Sequence, residues 1–194
     1  MRRTLMLLSA MMMMVVLAAG VAFAADVQCT ADPCLGTRGA DDIFGTGNPE
    51  TINALAGNDF VVGNGGNDII DLGSGRDSAD GYEGNDTIYG GDGNDGTKSN
   101  PLAGAEDSDT VYGGPGNDYI DAAFADVPME SPDSPVDYSY GDGGNDTIYA
   151  VDGNVDIIDC GESKRKGDTV YYDEGIDTVT NCEVEYPQTY TPTV

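Results

Sequence analysis

Between Gly36 and Tyr149 a carboxylate returns at intervals of nine residues. Dividing Gly36–Lys98 into seven consecutive nonapeptides places Asp41, Glu50, Asp59, Asp68, Asp77, Asp86 and Asp95 at the sixth position of each. Gly104–Tyr112, Gly113–Asp121 and Gly141–Tyr149 add Asp109, Asp118 and Asp146. Carboxylates in pairs can act as general acid and base, as in glycoside hydrolysis. Carboxylates in files hold hard cations through oxygen. Here they recur at ligand spacing along an edge, which favours metal ligation, and these ten residues are the candidate ligands.

The rest of the repeat says what positions them. Fourth positions read Gly39, Asn48, Gly57, Gly66, Gly75, Gly84 and Gly93; eighth positions read Ile43, Ile52, Val61, Ile70, Ala79, Ile88 and Thr97. Glycine at positions one, two and four permits a tight turn with positive φ and leaves backbone carbonyls unobstructed. Positions seven to nine then form a short strand whose middle residue points inward. Two nonapeptides make one coil, and stacked coils bury position eight between two parallel sheets. The expected fold is all-β, a parallel β-roll (β-solenoid).

In such a coil, turns two repeats apart lie about 4.8 Å from each other on one edge. Asp41 therefore stacks over Asp59 and Asp77, and Glu50 over Asp68 and Asp86. Like charges about 5 Å apart repel by roughly 3 kcal/mol at an effective dielectric near 20. A hard divalent cation among the carboxylates and turn carbonyls reverses that sign. Oxygen-only ligands favour calcium over magnesium, which demands octahedral geometry and gives up water reluctantly. Sites with affinity near 0.1 mM would each add about 1.4 kcal/mol at ~1 mM calcium, and five would add roughly 7 kcal/mol. That equals the whole stability of a typical domain. The chain is thus expected to be unfolded inside the cell and folded outside.

The composition narrows the function further. There are 35 acidic residues against 8 basic ones, a net charge of −27, and no histidine. A chain without histidine has no Ser-His-Asp set, His-zinc site or H-E-x-x-H motif. Its acidity argues against nucleic acid and anionic membranes as partners. Arg2, Arg3, an apolar Leu5–Val16 stretch and Ala22-Phe23-Ala24 read as a cleaved secretory leader over 1–24, with no membrane insertion. Four cysteines in an exported chain should pair. Of three possible pairings the local one is favoured, Cys29 with Cys34 and Cys160 with Cys182. The second bridge closes a loop worth roughly 3 kcal/mol by chain entropy.

The expected organisation has an N-terminal disulfide cap at 25–35 and repeats at 36–149. Degenerate repeats with a C-terminal disulfide cap follow at 150–194. Two insertions interrupt the repeats, at 99–103 and 122–140, the latter proline-rich and read as a surface loop. Beyond Tyr149, Asp156/Ile158, Asp168/Val170 and Asp177/Val179 keep the carboxylate-x-aliphatic spacing without the glycines.

Gly63-Asn64-Gly65-Gly66-Asn67-Asp68-Ile69-Ile70-Asp71, Gly90-Gly91-Asp92-Gly93-Asn94-Asp95 and Gly113-Gly114-Pro115-Gly116-Asn117-Asp118 resemble the calcium-binding nonapeptides of the RTX (hemolysin-type) family. The resemblance spans about Gly36 to Tyr149. It implies a β-roll with calcium held between successive turns by the position-six aspartates. Toxin and protease activities are not carried over, because repeats make up nearly the whole sequence.

Other features carry less. Asp152-x-Asn154-x-Asp156 begins like an EF-hand loop, but Ile157 replaces the turn glycine and Ser163 stands where the bidentate glutamate belongs. Outward Thr51, Thr87, Thr110 and Thr147, with Tyr89, Tyr112 and Tyr149, offer a face for a glycan or for cross-strand pairing alone. Lys164-Arg165-Lys166 is the single basic cluster, read as a solvated loop. The expected function is calcium binding in a secreted, extracellular structural or interaction module with an unknown protein or glycan partner. A calcium-dependent adhesin is the alternative, and an enzyme is disfavoured.

Overall fold

The computed structural model describes residues 24–96, 102–103, 108–123, 136–161 and 167–189. The leader through Phe23, Thr97, the Lys164–Lys166 cluster and most of the proline-rich segment lie outside the described residues.

β-Branched and aliphatic residues at positions seven to nine, between glycine-rich turns, form strands of mostly three residues that alternate between two sheets. One sheet has nine strands: Asp26–Gln28, Asp42–Phe44, Phe60–Val62, Ser78–Asp80, Leu102–Ala103, Tyr119–Asp121, Thr147–Ala150, Thr169–Asp173 and Val184–Gln188. The other has eight: Cys34–Leu35, Thr51–Asn53, Ile69–Asp71, Thr87–Tyr89, Thr110–Tyr112, Tyr138–Tyr140, Ile157–Asp159 and Thr178–Thr180. Every pairing is parallel and in sequence order, and within the repeats position eight meets position eight: Ile52 with Ile70, Ile70 with Ile88, Ile43 with Val61. The protein is a parallel β-solenoid of about eight turns, with no helix among the described residues.

The core is the stack of position-eight side chains. Ile43, Ile52, Val61, Ile70, Ile88, Ile120, Ile148, Ile158 and Val170 are fully buried. Where position one is not glycine it joins them, through Ala54, Leu72, Ala122, Ala150 and Cys160. Disulfides Cys29–Cys34 and Cys160–Cys182 form as expected from the local pairing.

Both insertions differ from their expected form. Leu102, not Thr97, pairs in register with Ala79 and Ile120, so the five extra residues enter between the turn at Asp95 and its strand. The strand keeps its place because an insertion in a turn leaves the ladder hydrogen bonds intact, whereas one after the strand would shift them. The 122–140 segment likewise ends in a strand of the eight-stranded sheet, Tyr138–Tyr140, paired with Thr110–Tyr112 and Ile157–Asp159. It contains the position-six residue and the strand of a further repeat. Asp137 holds position six, and Ser139 replaces the usual aliphatic at position eight, with its hydroxyl buried.

Candidate metal centre

The two-sheet coil places position six at the entrance of every strand, so the carboxylates form two files, one on each edge. Asp41, Asp59, Asp77, Asp95, Asp118, Asp146 and Asp168 precede successive strands of the nine-stranded sheet. Glu50, Asp68, Asp86, Asp109, Asp137, Asp156 and Asp177 precede those of the other. All ten candidate ligands fall in these files, with Asp41, Asp59 and Asp77 successive in one and Glu50, Asp68 and Asp86 in the other. The files also take in Asp137, which the insertion concealed, and Asp156, Asp168 and Asp177 beyond the glycine-rich repeats.

Each file is bonded along its length. Asp41 N–H donates to Asp59 Oδ1 at 2.8 Å, Asp59 to Asp77 at 2.8 Å and Asp77 to Asp95 at 2.9 Å. Asp95 continues to Asp118 at 2.8 Å and Asp118 to Asp146 at 2.9 Å. On the other edge Glu50 donates to Asp68, Asp68 to Asp86, Asp86 to Asp109 and Asp109 to Asp137, all within 2.7–2.9 Å. One carboxylate oxygen is thus committed to the backbone. The other, Oδ2, is buried without a hydrogen-bond partner in Asp59, Asp68, Asp77, Asp95, Asp118, Asp146, Asp156 and Asp168.

Such a group is costly as an anion, because burial strips its hydration and nothing replaces it. Burial accordingly pushes Asp77, Asp118 and Asp146 from the ordinary 3.8 up to about 7, and Asp68 and Asp95 up to about 6. The backbone N–H on Oδ1 pulls each the other way, and neighbouring carboxylates add to the rise. At neutral pH the files therefore call for a proton or a cation.

The space beside Oδ2 suits a cation held by oxygen. A Cβ on Gly63 would lie 2.6 Å from Asp68 Oδ2 and 2.7 Å from the Gly81 carbonyl oxygen. On Gly113 it would lie 2.7 Å from Asp118 Oδ2 and 3.0 Å from the Gly141 carbonyl, and on Gly141 2.8 Å from both Asp146 Oδ2 and the Cys160 carbonyl. A carboxylate and a carbonyl thus converge where a side chain would otherwise sit. Among the described residues no three acidic or cysteine side chains gather round one point. Backbone carbonyls must then complete any coordination shell, and hard, oxygen-seeking cations with flexible geometry accept such a set.

Asp41 and Glu50 are different. Asp41 accepts bonds from Ala25 N–H, Thr37 N–H and Thr37 Oγ1. Glu50 accepts Thr46 N–H at 2.9 Å and the Thr46 hydroxyl. Both oxygens of each carboxylate are satisfied, in Asp41 by Thr37 and Ala25 and in Glu50 by Thr46 alone.

Sequence reasoning passed over position five. Asn58, Asn67, Asn85, Asn94 and Asn117 each lend Oδ1 to the N–H of the position-five residue one coil later, at 2.9–3.3 Å. Their recurrence was the available signal. The outward tyrosines form two rows rather than one face. Tyr89, Tyr112 and Tyr140 stack at 5.0 and 4.8 Å on the eight-stranded sheet; on the other, Tyr149 is tilted by 40° against Tyr171 at 5.7 Å and Tyr171 stacks on Tyr186 at 4.9 Å.

Neither a curated protein nor a solved structure matches the chain. The RTX calcium-binding nonapeptide repeat (4 copies) does match, over residues 35–70, 44–79, 72–97, 96–125 and 137–157, more than half of the sequence. The matched stretches carry the two files of carboxylates as far as Asp146 and Asp156, and the cation of that family is calcium. With the period, the parallel roll and the oxygen-lined turns all in agreement, the chain belongs to the RTX calcium-binding nonapeptide-repeat family.

Proposed function

We propose that this protein is a secreted calcium-binding module whose β-roll folds on binding several calcium ions and acts outside the cell as a structural or interaction element. The observation that carries this reading is the run of buried carboxylates whose second oxygen finds no partner within the protein. Calcium bound there supplies the positive charge that such a run lacks. The ligand role falls to Oδ2 of Asp59, Asp68, Asp77, Asp95, Asp118 and Asp146, with Asp86 and Asp109 in equivalent places. Oδ1, tied to the N–H one coil back, fixes the orientation of each carboxylate. At Asp68, Asp118 and Asp146, glycine at position one keeps the space beside Oδ2 open and brings a carbonyl to it.

Without the cation, repulsion along each file opposes closure of the coils, and a core of one aliphatic per repeat is thin compensation. Folding is therefore coupled to binding. Residues 1–24 support secretion through their leader pattern, and two disulfides accord with an oxidising compartment. The tyrosine rows favour the structural role over glycan binding. Rings stacked about as closely as the strands cover one another's faces, leaving edges and hydroxyls outward.

The test is far-UV circular dichroism of the oxidised mature chain during a calcium titration, with magnesium as control. A cooperative gain of β-signal near millimolar calcium, absent with magnesium, is expected. A fully formed β-spectrum in excess chelator at neutral pH would overturn calcium-driven folding.

A further inference from the structure

Positions five and six are neighbours whose side-chain bonds run in opposite directions along the roll. A position-six carboxylate accepts the N–H of position six one coil earlier: Asp118 Oδ1 from Asp95 at 2.8 Å and Asp146 Oδ1 from Asp118 at 2.9 Å. A position-five amide oxygen accepts the N–H of position five one coil later: Asn94 Oδ1 from Asn117 and Asn117 Oδ1 from Asn145, both at 2.9 Å. The two donors, Asn117 and Asn145, immediately precede Asp118 and Asp146. The backbone entering each of these carboxylates is therefore pinned to the coil before it. Their own N–H groups are bonded to the coil after, Asp118 to Asp146 Oδ1 at 2.9 Å and Asp146 to Asp168 Oδ1 at 3.0 Å.

This frame carries the open oxygens. Oδ2 of Asp118 and of Asp146 is buried without a hydrogen-bond partner, and each converges with a carbonyl, that of Gly141 or of Cys160. With Oδ1 and the N–H groups on both sides held, the direction of Oδ2 is set by the backbone. Partners that orient a metal's ligands raise its affinity, because the cation need not order them. Two departures from asparagine show what the place requires. One coil before Asn94 stands Arg76, whose guanidinium offers no acceptor, so position five supplies no such bond ahead of Asp95. Ser108 shows that a hydroxyl suffices, since its Oγ accepts Val136 N–H at 3.0 Å ahead of Asp137.

We propose that Asn94 and Asn117 are positioning residues for calcium: by holding the N–H groups of Asn117 and Asn145, they aim Oδ2 of Asp118 and Asp146 at the cation. The inference rests on the reading of these carboxylates as calcium ligands and adds residues one coil away that act through the backbone. Both asparagines are exposed, where a neutral hydrogen bond contributes little to stability by itself. Their larger effect is on the ligands they orient. A cage of oxygens discriminates between cations by its size and rigidity. Releasing the backbone ahead of Asp118 or Asp146 loosens the cage, which weakens calcium and favours a larger ion such as strontium in comparison.

Folding midpoints for calcium and for strontium, followed by circular dichroism of the oxidised mature protein, test the proposal. Asn117→Ala is expected to raise the calcium midpoint about threefold, the worth of one exposed hydrogen bond, and the strontium midpoint by less. Asn117→Ser keeps an oxygen in place and is expected to restore both. A loss of stability alone moves the two midpoints by the same factor, so an unchanged calcium-to-strontium ratio rules the positioning role out. The opposite substitution adds the missing bond ahead of Asp95. Arg76→Asn is expected to lower the calcium midpoint about threefold below that of Arg76→Ala, which removes the same charge. Equal midpoints in this pair would overturn the proposal even where Asn117→Ala fails to fold. An unmodified chain already folded in chelator would instead remove the calcium-driven reading on which the proposal rests.

Discussion

The first two turns and the interior turns carry the same acidic position and treat it in opposite ways. In the first two, Thr37 and Thr46 at position two bond the carboxylates of Asp41 and Glu50. In the interior, position two is Leu55, Asn64, Gly73, Tyr82, Gly91, Gly114 or Asp142, every one at positive φ. Thr37 and Thr46 are not in that conformation. A β-branched residue resists positive φ, so threonine selects a turn whose own N–H and hydroxyl satisfy the acid. The left-handed interior turn leaves Oδ2 of Asp59, Asp68 and Asp77 open. One residue choice thus separates a self-contained end from a middle whose carboxylates are left open.

The largest effect that would break this contrast is on pH. Asp77, Asp118 and Asp146 are raised from 3.8 to about 7 in the fold, so between those values the folded chain holds more protons than the unfolded one. Their contribution to the metal-free roll is therefore fully present below about pH 4 and lost as pH rises through about 7. In chelator, acidification from pH 8 to pH 4 should restore β-signal by circular dichroism, with protons standing in for calcium. A signal that stays flat across this range would mean that the interior carboxylates are not isolated from counter-charge.

A smaller effect separates the two regions by mutation. Asp77→Asn should raise the calcium midpoint for folding about tenfold, equivalent to about 1.4 kcal/mol. Asp41→Asn should move that midpoint less than about twofold, its cost appearing instead as roughly 1 kcal/mol in urea unfolding at saturating calcium. Equal shifts in the calcium midpoint would erase the distinction between end and middle.

The smallest effects probe the neutral bonds. Thr46→Val removes the hydroxyl bonded to Glu50, and Asn67→Ala removes a rung of the position-five ladder; each should cost about 1 kcal/mol in urea unfolding with calcium present. A loss of calcium stoichiometry in Thr46→Val would show that Glu50 belongs with the interior ligands after all.

The sequence by itself determined the period, the parallel roll, the inward position eight, the calcium chemistry and the local disulfides. Each of these follows from what one repeat contains, multiplied by identical stacking. Only the tertiary structure decided what depends on neighbouring coils. Leu102 displaced Thr97, and Asp137 with Ser139 emerged from a proline-rich segment, because strand register is set by pairing to the coils on either side. Asp173 met Asp152 because a coil returns the chain to the same edge about twenty residues later. Thr37 and Thr46 are ordinary polar residues until the turn closes on Asp41 and Glu50. Periodicity is a local property that a linear reading can count. Which oxygen of a carboxylate remains open depends on contacts that exist only after stacking.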